Sequence, residues 1–146
     1  MLKPSKTSAS SFQLAGLLNG TVHPQPQDNS KASLAPILKK EDGIIDFSRT
    51  ATETCNRLRG FQPWPGAFTT FRGKTIELHA AVPAPEVALV KPGHFAVESE
   101  RLLMGFARAS TLEVRELQVE GKKRMSAQDF MNGYRPRSDE LLGAPV

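Results

Sequence analysis

The sequence predicts a mainly β domain, with one helix ahead of the strands, a short helix behind them and an extended N-terminal arm. Three observations carry this. Apolar residues recur at helical spacing only over 49–59 and briefly after Ser126. From Ala67 to Val119 the period changes to two, and turn residues cut the run into about five short strands. Before residue 47, prolines and polar residues break any period. The 146 residues suffice for one domain, or one domain plus an arm.

Taken in order, residues 1–10 are rich in Ser and Lys and are expected to fray. Residues 11–18 suit one or two helical turns, ended by Asn19-Gly20. His23-Pro-Gln-Pro-Gln27 is held extended by its prolines, so 21–46 reads as a connector along a surface or between domains. Ser48 is the expected N-cap of a helix over 49–59, with Ala51, Cys55 and Leu58 on one face and Gly60 as the stop. Phe61-Gln-Pro-Trp-Pro-Gly66 cannot continue that helix and reads as a rigid turn around a large aromatic.

Ala67–Phe71 and 74–82 alternate about Arg72-Gly73 as a hairpin does, and Pro83 and Pro85 end the second strand. After the turn at Lys91-Pro-Gly93, strands are expected over 94–98 and 102–106, separated by Ser99-Glu100-Arg101. In 111–119 the apolar positions are Leu112, Val114, Leu117 and Val119, and the slip between Val114 and Leu117 calls for a bulge. Ser126 caps a short helix closed by Gly133, and 135–146 reads as an exposed tail. Five short antiparallel strands leave unprotected edges in a flat sheet. A closed or partly closed five-stranded barrel of the OB type removes them.

Charge is unevenly placed. Of 19 Lys plus Arg and 15 Asp plus Glu, residues 1–40 hold Lys3, Lys6, Lys31, Lys39 and Lys40 against Asp28 alone. The arm therefore carries the whole net charge of +4, and the body is neutral except in local clusters. Two basic clusters stand out: Lys39-Lys40, at the end of the arm and followed at once by Glu41 and Asp42, and Lys122-Lys123-Arg124, with Arg135 and Arg137 a little further on. A single cysteine excludes a disulfide framework or a multi-Cys zinc site. No run approaches eighteen apolar residues, and Phe12-Gln-Leu-Ala-Gly-Leu-Leu18 has no cleavage site after it, so neither a membrane span nor a signal peptide is expected. The expectation is a soluble, cytoplasmic domain that binds no metal.

Catalytic candidates are few. His23 lies between prolines in the connector, His79 within a strand and His94 at the start of one, each apart from other titratable groups at motif spacing. Cys55 reads as a small buried hydrophobe. Gly121-Lys-Lys lacks the leading glycine and terminal hydroxyl of a phosphate loop. Catalysis by this chain alone is not expected.

Three segments, in order, resemble one family. They are Gly20-Thr-Val-His-Pro-Gln-Pro-Gln-Asp28 with Ala35-Pro-Ile-Leu-Lys-Lys-Glu-Asp-Gly43 and Ile45-Asp-Phe47; then Arg59-Gly-Phe-Gln-Pro-Trp-Pro-Gly-Ala-Phe68; then Leu117-Gln-Val-Glu-Gly-Lys-Lys-Arg-Met-Ser-Ala-Gln-Asp-Phe-Met-Asn-Gly133. Together they resemble the C-terminal domain of methionyl-tRNA formyltransferases, over about residues 11–140. The resemblance implies an OB-like domain that holds initiator Met-tRNA, with its acceptor end towards a separate catalytic domain of about 200 residues. In the family, that domain binds 10-formyltetrahydrofolate and carries the Asn, His and Asp that promote formyl transfer to the methionyl amine. Nothing in this sequence matches those motifs, so no cofactor is expected on this chain.

On this reading, 1–30 is the remnant of the catalytic domain's end, 31–46 a linker and 47–146 the tRNA-binding domain, in an expressed fragment or a truncated reading frame. The expected phosphate-binding residues are Lys39 and Lys40 in the connector, Arg57 and Arg59 at the end of the first helix, Arg72 and Lys74 at the hairpin, and Lys122, Lys123 and Arg124 after the last strand. Arg57 and Arg59 also suit a role at the helix C-terminus. Trp64 is read as a buried wedge locking helix to barrel rather than as a base-stacking platform. Phe61, Phe68 and Phe71 are read as core, and Phe130 and Met131 as docking the last helix. Two alternatives stand beside this one: a structural accessory domain of a formyltransferase acting on another amine, such as a nucleotide sugar, or a freestanding truncated protein-interaction module.

Overall fold

The computed structural model describes residues 16–21, 23, 26 and 28–143. Lys3, Lys6, the stretch expected to fray and most of the helix expected over 11–18 lie outside the described residues; 16–18 are helical. The chain divides into two compact units, Met1–Pro36 and Ile37–Val146. In the first, a 3-10 turn at Asn29–Lys31 is capped by Asp28, which accepts from the Ser30 amide at 3.0 Å.

The second unit is mainly β, as the alternation predicts. A 3-10 turn at Lys40–Gly43 leads to helix α1 (Ala51–Gly60). Strands β1 (Ala67–Phe71), β2 (Lys74–Pro83), β3 (Phe95–Glu98), β4 (Arg101–Phe106), β5 (Ser110–Val119) and the two-residue β6 (Met125–Ser126) follow, then helix α2 (Ala127–Tyr134). The antiparallel sheet runs β1-β2-β5-β4-β3, with β6 on β5. The expected slip lies where β2 meets β5: Leu78 faces Leu117 and Ala81 faces Val114, with the register shifting between them.

Local chemistry explains most boundaries. Thr50, not Ser48, caps α1: its hydroxyl accepts from the Glu53 amide, and the Glu53 carboxylate accepts from the Thr50 amide at 2.8 Å. Ser48 instead donates to Asp46 from its amide and hydroxyl, which closes a turn ahead of the helix. Gly133 lies inside α2, and Arg135, in the left-handed region at φ 48°, ends it.

Inward positions of every long strand share one core with both helices. Phe71 of β1 and Phe95 of β3 meet at 5.6 Å between ring centroids, so the two ends of the strand path come together. β1 and β3 do not pair, so the sheet is not closed by strand pairing. Residues 141–143 cross the seam instead. Gly143 donates to the Thr70 carbonyl at 3.0 Å, Leu142 to the Gly93 carbonyl at 2.7 Å, and His94 bridges Leu141. This corrects the expectation of an exposed tail: Leu142 is buried because it plugs that seam. The end of the connector is also engaged. The Ile45 amide donates to the Phe68 carbonyl at 2.8 Å, which lays residues 44–45 along β1. No helix among the described residues is long and apolar enough to cross a membrane.

Candidate nucleic-acid interface

The alternation that sends Ile76, Leu78, Leu117 and Val119 into the core turns Thr75, Glu77, His79 and Gln118 to the other face of β2 and β5. Glu77 and Gln118 are cross-strand partners. A chain of hydrogen bonds crosses this face. Gln62 Nε2 donates to the His79 carbonyl at 2.7 Å, His79 Nε2 lies 3.3 Å from Gln118 Oε1, and Gln118 Nε2 donates to the Lys122 carbonyl at 2.9 Å. The Lys122 amide closes the turn onto the Val119 carbonyl at 2.9 Å, and Gly121 supplies the left-handed φ of 74° that this turn requires. The turn's backbone is thus fixed, while the side chains of Lys122 and Lys123 stand exposed.

The connector reaches the same face. Lys40, Thr75, Glu77, Gln118 and Glu120 line an open hollow of about 250 Å³. Gly43 is pressed against β1: a Cβ there would stand 2.8 Å from the Gly66 carbonyl oxygen. Lys39 to Gly43 are therefore held on the sheet, and the Lys39 amide donates to Asp42 at 2.7 Å.

The nine basic residues singled out in the sequence separate into two groups. Arg57, Arg72 and Arg124 are engaged within the protein. Arg57 donates to the Asp42 carbonyl at 2.8 Å and lies 4.6 Å over the Phe61 ring, tying the connector to the end of α1. Arg72 pairs with both Glu140 oxygens, at 2.6 and 2.9 Å, and donates to the Tyr134 carbonyl at 2.9 Å, so it serves the end of α2. Arg124 pairs with Glu116, an exposed pair that a phosphate can compete for at small cost. Lys39, Lys40, Arg59, Lys74, Lys122 and Lys123 are exposed and make no ion pair among the described residues. Lys40 lines the hollow on the β2–β5 face, Lys122 is held to Gln118 of that face through its carbonyl with Lys123 next to it in the chain, and Lys74 precedes Thr75.

Trp64 departs from its expected place. It is 56% exposed, so it is not a buried wedge; Pro65, beside it, is the buried member of the turn. Phe71, Phe130 and Met131 are buried as predicted, whereas Phe61 and Phe68 are half-buried. His23 is exposed, and His94 Nδ1 lies 3.0 Å from the Pro92 carbonyl oxygen. Cys55 is buried, with its Sγ 3.4 Å from the Ala81 carbonyl oxygen. Among the described residues no group of three or more His, Cys, Asp or Glu is placed to hold a metal ion. A larger hollow of about 620 Å³ runs beside β3, and none of the nine basic residues lines it.

The polar chain through Gln62, His79 and Gln118 was missed in the sequence. Strand alternation marks His79 and Gln118 as outward, but only the β2–β5 register joins them.

Comparison with known proteins places this geometry. The family model described as formyl transferase, C-terminal domain, matches residues 37–135. The methionyl-tRNA formyltransferase of Koribacter versatilis is 54% identical over 130 residues, covering 89% of this chain and 41% of that protein. The methionyl-tRNA formyltransferase of Bacillus subtilis is 36% identical over 128 residues, covering 87% and 40%. The chain thus spans about two fifths of the length of these relatives. Among solved structures, a variant of HypX from Aquifex aeolicus superposes with a TM-score of 0.60 at 20% identity, over 87% of this chain and 23% of that one. At that identity the likeness shows the fold.

Proposed function

Since the chain belongs to the formyl transferase C-terminal domain family, we propose that it is the tRNA-holding part of a methionyl-tRNA formyltransferase. The observation that supports this reading is that Gln118 lies beside the unpaired Lys40 of the connector and holds the carbonyl of Lys122, in the exposed turn that carries Lys122 and Lys123. The names of the relatives supply the substrate class.

The mechanism is positioning. Lys40, Lys74, Lys122 and Lys123 contact RNA phosphates, with Lys39 and Arg59 at the margins. Such contacts set affinity and orientation and carry no sequence information. Holding the aminoacyl end beside the formyl donor turns a bimolecular encounter into an effectively unimolecular one. In this reading residues 1–30 are the end of the catalytic domain, 31–46 the linker and 47–146 the tRNA-binding domain. Formyl transfer from 10-formyltetrahydrofolate is work for the catalytic domain.

Filter binding of initiator tRNA at two salt concentrations tests the proposal. The affinity is expected to fall steeply with salt. Lys122→Glu with Lys123→Glu is expected to weaken binding at least about tenfold and to lower the salt slope by about two. Binding indifferent to salt, or to both charge reversals, would falsify the assignment of the face.

A further inference from the structure

Among the described residues Trp64 is exposed, whereas the phenylalanine and tyrosine rings are buried or half-buried. Phe71, Phe95, Phe106 and Phe130 are at most 3% exposed, against 56% for Trp64. The turn that carries it is fixed at both ends. Gln62 donates to the β2 backbone at His79, the Gly66 amide donates to the Phe61 carbonyl at 3.0 Å, and a Cβ at Gly66 would stand 2.7 Å from the Glu77 carboxylate. The indole is thus presented on a rigid base, and little conformational freedom remains to be lost when something covers it.

Its neighbourhood selects the occupant. Arg59, Gly60 and Gln62, which precede it closely in the chain, are exposed and polar or small, and Arg59 has no ion pair among the described residues. A protein partner is matched by a contiguous apolar patch. An isolated flat aromatic face on a rigid turn, five residues after an unpaired arginine, matches a nucleobase and its phosphate. The hydrogen-bonded chain from Gln62 through His79 and Gln118 to Lys122 makes this turn continuous with the lysine face. We propose that Trp64 stacks on an unpaired base of the RNA held by that face. The proposal rests on the tRNA-binding reading above and deepens it, because phosphate contact alone does not distinguish paired from unpaired RNA. A base inside a duplex has both faces covered by its neighbours, so only a splayed base offers one to the indole.

Trp64 is the only tryptophan in the chain, so its fluorescence reports the contact directly. The chain is titrated with initiator tRNA and, separately, with a fully paired RNA duplex of equal phosphate number. The expected result is quenching by the tRNA and little by the duplex. Trp64→Ala is expected to weaken tRNA binding about five- to a hundredfold with the salt slope unchanged, and Trp64→Phe to restore most of it. Equal quenching by the duplex, or tRNA binding untouched in Trp64→Ala, overturns the stacking role. So does quenching by a separately supplied catalytic domain but not by tRNA, which would mark a protein contact. Loss of binding in the Lys122→Glu, Lys123→Glu variant but not in Trp64→Ala would leave the tRNA reading standing and sink this inference alone. Failure of the unaltered chain to bind tRNA at low salt would sink both.

Discussion

Two glycines show how differently the same residue constrains this fold. Gly105 of β4 lies against the chain entering β3: its amide donates to the His94 carbonyl, and its carbonyl accepts from the Gly93 amide, each at 3.0 Å. A Cβ there would stand 2.2 Å from the Lys91 carbonyl oxygen and 2.4 Å from that of Val90. Those are backbone atoms of Val90 and Lys91, which yield only if that segment moves. Gly105→Ala is expected to cost about 3 kcal/mol through this clash. Gly121 has open space around it and a φ of 74°, so Gly121→Ala meets only backbone strain of about 1 kcal/mol. Urea midpoints of the two variants check this; equal shifts would show that the segment at Val90 and Lys91 gives way freely. The sequence places Gly105 inside a strand and Gly121 after one, but the backbone of Val90 and Lys91 that presses on Gly105 is brought there only by the fold.

The end of α2 depends on a residue far from it in the chain. Arg72, at φ 50° in the β1–β2 hairpin, donates to the Tyr134 carbonyl and clasps Glu140. A cation at a helix C-terminus is favourable, and here it also anchors the strap that follows. The hydrogen bond from Arg72 holds the Glu140 carboxyl below the usual carboxylate range, helped by the Arg137 amide. Because that pKa is lowered on folding, the pair stabilises the protein above the unfolded value of about 4.3 and loses its effect as pH falls through the folded value. Glu140→Gln is expected to lower stability at pH 7 by under about 1 kcal/mol, since the pair is partly exposed. The deficit should shrink as pH falls below the unfolded value and vanish only below the lowered folded value. Denaturation curves at several pH values read this directly, and a deficit constant with pH would assign it to something other than charge. At the same scale the helix starts were nearly legible: the capping pattern was visible, and Thr50 won over Ser48 because Glu53 lies three residues after Thr50 and returns its hydrogen bond.

Over the whole molecule, four rings do what strand pairing does not. Phe71, Phe95 and Phe130 meet at 5.6 to 5.8 Å, and Tyr134 stacks on Phe130 at 4.8 Å. They join β1, β3 and α2 beneath the seam that residues 141–143 cross. Phe130→Ala is expected to cost about 3–5 kcal/mol, because the cavity opens where three elements have no other common contact of that size. Thermal denaturation should show one transition moved well beyond that of Gly121→Ala; a smaller shift would mean the seam is held by the strap alone.

Local chemistry, read along the chain, sufficed for the mainly β class, the two helices, the hairpin at Arg72-Gly73 and the slip near Val114, because alternation and turn residues act over a few positions. It also sufficed to find the lysines that stand free. Which of them meet was decided by pairings between distant segments: the β2–β5 register sets Lys40 and Lys122 about Gln118, and Glu140 withdraws Arg72 to the other helix. The exposure of Trp64 and the burial of Leu142 were settled the same way. Each depends on what the folded chain lays over that residue, and no period in its own neighbourhood records it.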